Sequence, residues 1–172
     1  MLTAADITRL LEKVNAALAA RGEAGEIGLV GGAVMCLVYN ARAATKDVAA
    51  VFEPSSVLRE IAAQIGKEEG LPEDWLNDAA KSFLRPGFAR QEVLCLSNLN
   101  VWAPEPRYML AMKSISARWD TSDRDDLVFL LRFLKIASPR EVFSIIENFY
   151  PQALIPAKTK FLIEELLGAD KK

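Results

Sequence analysis

The apolar positions near the start of the chain, Ile7, Leu10, Leu11, Val14 and Leu18, recur at intervals of three and four, which places them on one stripe of a helix. Thr3 and Asp6 ahead of them have capping-box spacing and Gly22 interrupts the pattern, so an amphipathic helix with defined ends is predicted. The period then shortens. Residues 26–30 read as a strand running into Gly31-Gly32, and residues 33–39 are apolar on all sides, as a short buried helix would be. Residues 46–52 predict a second strand, stopped by Pro54, with a helix from there to Ile65 and Gly66 as its end. Pro72 followed by Glu73 and Asp74 predicts a helix over 72–81, broken at Arg85-Pro86-Gly87. Two short strands are expected at 92–96 and 99–102 about Ser97-Asn98. From Pro104 onward the period is helical throughout, with helices at 105–118, 123–136, 139–149 and 157–167. The pattern therefore predicts an α+β fold, with a small mixed β-sheet flanked by helices in residues 1–103 and a helical C-terminal part in residues 104–172.

Composition narrows what such a fold can do. A chain of 172 residues, 51% hydrophobic, can bury about 70% of its unfolded surface and needs neither disulfides nor a structural metal. It contains no histidine, which excludes Ser-His-Asp and Cys-His catalysis and histidine-ligated zinc. The two cysteines, Cys36 and Cys95, lie in apolar stretches and are expected to be buried, reduced thiols, too few for a four-ligand zinc site. Trp75, Trp102, Met109 and Met112 are expected in the core. No uncharged apolar run is long enough to span a bilayer, and Asp6, Arg9, Glu12, Lys13 and Arg21 charge the first helix, so neither a membrane segment nor a signal peptide is expected and the location predicted is cytoplasmic. The net charge is -2, yet residues 81–118 hold six basic side chains against Glu92 and Glu105, a local +4. That stretch suits either a phosphate-bearing substrate or a solvated face.

Gly31-Gly32, between a strand and a buried helix, permits a tight turn and close backbone approach, and serves either a phosphate at the helix start or packing alone. Shortly after it comes Thr45-Lys46-Asp47-Val48-Ala49-Ala50. With the glycine pair, Ala33, Leu37 and Arg42, this order of elements resembles the DNA polymerase β-like nucleotidyltransferase superfamily, and within it the small bacterial proteins related to AbiEii-type toxins. Residues 71–83, Lys113, Arg118 and the stretch Asp123 to Leu127 extend the resemblance.

The resemblance implies a nucleotidyltransferase fold and magnesium-dependent transfer of a nucleoside monophosphate from a nucleoside triphosphate to an RNA end (tRNA) or a protein hydroxyl, within a toxin-antitoxin or phage-defence pair that includes a cognate partner protein. It implies that Gly31, Gly32, Arg42, Thr45, Lys46, Lys113 and Arg118 bind nucleotide, that Asp47 is a metal ligand and catalytic, and that Asp123 or Asp126 joins it as a base or orienting carboxylate. Magnesium is held in such proteins by two carboxylates spaced Asp-x-Asp, because a strand's period of two puts both on one face. Here the second position is Ala49. An alanine there stands either for a natural loss or for an introduced inactivating change, and it implies a weakened or inactive enzyme. The alternative is a catalytically silent nucleotide- or protein-binding module of the same fold.

Overall fold

The computed structural model describes residues 1–117 and 121–168. The chain divides into two compact units, one formed by residues 1–82 and 90–104, the other by residues 83–89 and 105–172. The boundary is thus discontinuous, because residues 83–89 belong with the helices that follow them.

The first unit is α/β. Strand β1 (Leu2–Thr3) leads into α1 (Ala4–Arg21) through the expected capping box: Thr3 Oγ1 accepts from the Asp6 N–H and the Asp6 carboxylate accepts from the Thr3 N–H. Then come β2 (Gly25–Leu29), α2 (Gly31–Leu37), β3 (Ala44–Thr45), β4 (Val48–Glu53), α3 (Ser55–Glu69), β5 (Leu76–Asn77), β6 (Arg90–Cys95) and β7 (Leu99–Pro104). β1 pairs antiparallel with β3, and the other five strands form one mixed sheet in the order β5-β4-β2-β7-β6. β2 runs antiparallel to β4 and parallel to β7, β5 runs parallel to β4, and β6 closes the other edge antiparallel to β7. The α+β class and the mixed sheet agree with the periodicity.

One face of the sheet is core. Ile27 and Leu29, Val48, Ala50 and Phe52, and Leu99 and Val101 alternate inward; α3 packs against β4, α1 against β7, and the two helices against each other. On the opposite face stand Ala49 and Val51 of β4, Gly28 of β2 and Trp102 of β7, with Gly28 in register with both Val51 and Trp102. Trp102 lies flat enough on the sheet that a Cβ on Gly28 would come within 2.2 Å of its ring. The Trp102 indole N–H donates to Glu26 at 2.8 Å, while the Arg90 guanidinium sits 4.0 Å above the ring and 2.9 Å from the same carboxylate.

Three expectations are corrected here. The helix expected over 72–81 is absent; the segment forms β5 and a 3-10 turn (Ala79–Phe83). The Val48 N–H donates to the Trp75 carbonyl at 2.6 Å and β5 continues that ladder beside β4, so pairing with an available sheet edge overrides a local helix-start signal. The helix after Pro54 does not end at Gly66 but runs to Glu69, with Gly70 in the left-handed conformation at its end. Gly66 is instead an interior contact, since a Cβ there would stand 3.0 Å from the Trp75 ring, whose N–H donates to the Ala62 carbonyl. Cys36 is buried, and burial pushes its thiol above the ordinary value, but Cys95 is exposed on the edge strand.

The second unit consists of α4 (Pro106–Ser116), α5 (Thr121–Phe133), α6 (Pro139–Phe149) and α7 (Ala157–Gly168). α4 is central: residues 108–115 are all buried, and α5, α6 and α7 each pack on it. Ser138 and Glu141 cap α6 reciprocally ahead of Pro139. Residues 83–89 are strapped to these helices by two phenols: Tyr108 Oη accepts from the Arg85 N–H at 2.6 Å, and Tyr150 Oη donates to the Phe83 carbonyl at 2.6 Å. Burial, then the neighbouring Tyr108 hydroxyl, holds the Tyr150 phenol well above its ordinary value. Trp75, Trp102, Met109 and Met112 are buried as expected. Among the described residues no helix is long and apolar enough to cross a membrane.

Candidate functional site

In the α/β unit the site grows from the turn between β2 and α2. Gly31 has φ 61°, a left-handed conformation that any side chain would strain. A Cβ on it would meet the Ala49 methyl at 3.7 Å, and the Val30 N–H just before it donates to the Ala49 carbonyl at 2.9 Å. Gly32 is glycine for a different reason. A Cβ there would stand 2.4 Å from Thr45 Oγ1 and 3.2 Å from the Arg42 guanidinium. Thr45 is buried and fixed by the pairing of β3 with β1. Gly31, Gly32, Arg42, Thr45 and position 49, drawn from two turns and two strands, are thereby brought together. Lys46 is exposed.

Asp47 lies one residue before β4, half-buried, and precedes Ala49 and Val51 in the strand's alternation. Its Oδ2 accepts a hydrogen bond from Asn77 Nδ2 at 3.1 Å. Asn77 is a residue that the sequence reading did not single out. As part of an expected helix it had no reason to meet Asp47; as part of β5 it pairs in register with Ala49.

In the helical unit, Lys113, Asp123 and Asp126 form one cluster. Lys113 Nζ lies 2.8 Å from Asp123 Oδ1 and 2.6 Å from Asp126 Oδ2, with side-chain exposures of 8% for the lysine, 19% for Asp123 and 3% for Asp126. Two carboxylates three residues apart on α5 share a face and both reach the ammonium that α4 buries. Lys113 is therefore not a solvated helix lysine; an ammonium among buried apolar groups requires paired charge, and its own unit supplies it. Asp123 is in the first turn of α5, which starts at Thr121 rather than at an Asp123 cap. Arg118 lies outside the described residues.

The donor set tests the magnesium site that the resemblance implies. Asp47 contributes one carboxylate, position 49 a methyl group and Asn77 a neutral amide, and among the described residues no three His, Cys, Asp or Glu side chains gather closely enough to hold a metal. These residues do not fit a two-carboxylate site. Comparison of the chain with protein-family models, with curated proteins and with solved structures gives no match.

Proposed function

We propose that the chain is a nucleotidyltransferase-type protein that binds a nucleoside triphosphate but transfers from it weakly or not at all. The observation that carries this reading is the position of Ala49, on the strand face that follows Asp47 and against Gly31 of the glycine turn. A chain built for Asp-x-Asp chemistry would present its second carboxylate there. Around that position Gly32, Thr45 and Arg42 pack together, the residue types the resemblance assigns to nucleotide binding, and a guanidinium suits phosphate oxygens. The reaction this lineage would perform is transfer of a nucleoside monophosphate to an RNA end or a protein hydroxyl, in the cytoplasm, beside a cognate toxin or antitoxin partner.

The test is Ala49→Asp. With magnesium present, the variant should raise transfer of label from α-labelled triphosphates to total RNA or protein by at least about 10^2 over the unmodified chain. Equal transfer by the two proteins would overturn the reading.

A further inference from the structure

The misfit between the donor set and magnesium has a positive side, and it centres on Asn77. This side chain is held at three points. Its Oδ1 accepts from the Ala79 N–H at 3.1 Å, and its Nδ2 donates both to the Asp74 carbonyl and to Asp47 Oδ2, each at 3.1 Å. The backbone groups fix which way the amide points: a peptide N–H can only donate and a peptide carbonyl can only accept, so oxygen faces Ala79 and nitrogen faces Asp74 and Asp47. Among the described residues Asn77 is the one hydrogen-bond partner of the Asp47 carboxylate. It is also the strand neighbour of Ala49, so it stands beside the place where a second metal-binding carboxylate would be.

We infer that Asn77 replaces the metal as the partner of Asp47, and that this chain binds its nucleotide without a divalent cation. The inference rests on the nucleotide reading above. An amide N–H on Oδ2 satisfies one carboxylate oxygen without bringing in the positive charge that would demand further carboxylates. Asp47 Oδ1 then accepts from a hydroxyl or amine of the nucleotide, and the positive charge facing phosphate comes from the Arg42 guanidinium beside Gly32. Asn77 is a positioning residue here: both of its amide hydrogens are engaged within the protein, so it acts on the ligand through Asp47.

The experiment is calorimetric titration of the full chain with ATP, CTP, GTP and UTP in turn, once in EDTA and once in excess magnesium. The expected result is one preferred nucleotide bound with an affinity that agrees within about twofold in the two buffers. Asn77→Ala should weaken that binding about tenfold in both, the loss of one hydrogen bond to a charged group. Asn77→Asp, nearly isosteric, should lose binding in EDTA and regain it with magnesium, because two adjacent carboxylates again require a cation; a merely structural asparagine would not make binding metal-dependent. Binding by the unmodified chain only in magnesium overturns the inference and leaves the nucleotide reading standing. Binding by Asn77→Asp that is the same in both buffers removes Asn77 from the account. No nucleotide bound in either buffer overturns the nucleotide reading itself. Should Asn77→Ala fail to fold by circular dichroism, the paired titrations of the unmodified chain and of Asn77→Asp still decide.

Discussion

In the α/β unit the acidic side chain of interest meets a neutral amide, at Asp47 and Asn77, and sits at the start of a strand beside a glycine turn. In the helical unit the acids of interest meet a buried ammonium, at Asp123, Asp126 and Lys113, inside a helix packing where residues 108–115 are all buried. In sequence both offer a lysine and aspartate: Thr45-Lys46-Asp47 in the first, and Lys113 with Asp123 and Asp126 in the second. The difference lies in what surrounds them. A half-buried carboxylate bonded to a neutral amide has one oxygen engaged within its own sheet, whereas a buried ion pair uses its charge to hold two helices together.

That contrast can be broken most forcefully at Lys113. Lys113→Met leaves Asp123 and Asp126 facing an apolar side chain and should destabilise the fold by about 3–5 kcal/mol in urea unfolding; adding Asp126→Asn should recover part of the loss. A change within about 0.5 kcal/mol would show that the cluster behaves as an exposed one. The glycine turn should respond less. Gly32→Ala puts a methyl against Thr45 Oγ1 and should cost about 1–3 kcal/mol, the range for overpacking a tight site. Removing the obstacle with Thr45→Ala should restore much of the stability, which thermal melts of the single and double variants would reveal.

The smallest effect is electrostatic and is shared by the two units. Asp6 is held below the ordinary carboxylate range by the Thr3 hydroxyl and N–H, Glu69 by Lys13 and Arg9, and Glu141 by the N–H of Ala137 and the Ser138 side chain. For each, the folded state binds its proton less readily than the unfolded chain. Their contribution is therefore present above the ordinary carboxylate values and is lost as the pH falls through the lowered ones. Unfolding followed across the acid range should show stability falling there. Asp6→Asn or Glu141→Gln should flatten the limb slightly, and added salt should blunt the share due to Glu69, which alone of the three is held by ion pairs.

Much of the fold was legible because its signals are local. The Thr3–Asp6 capping box, the stripe from Ile7 to Leu18, the Ser97-Asn98 turn between β6 and β7, and the helix start at Pro139 depend on residues close in the chain. What failed depends on residues far apart. Pro72, Glu73 and Asp74 make a credible helix start, and nothing near them reveals that Val48 offers a strand edge; nothing near Gly66 reveals that Trp75 will lie against it. The site divides along the same line. The glycine pair, Arg42, Thr45 and Asp47 could be read as an ordered pattern, but Asn77 enters only through β5, and the mutual pairing of Lys113, Asp123 and Asp126 only through the packing of α5 on α4. Cys95, in an apolar run, is exposed because an edge strand turns alternate residues outward.

The strap of residues 83–89 has a consequence for how the chain is made. During synthesis these residues emerge before the helices that hold them, and the partner of the Phe83 carbonyl, the Tyr150 hydroxyl, follows 67 residues later. At the usual pace of about 5–20 residues per second, that carbonyl waits for several seconds on the ribosome without its final partner. The strand order imposes a similar and slightly longer delay, since β2 needs β7 as its parallel neighbour, Gly25 pairs with Leu99, and β7 is made only after the strap. The first unit therefore completes its sheet only after a segment that belongs to the second has been made. A gene cut at the boundary between residues 104 and 105 would leave the strap on the wrong fragment, with the Tyr108 and Tyr150 hydroxyls on the other.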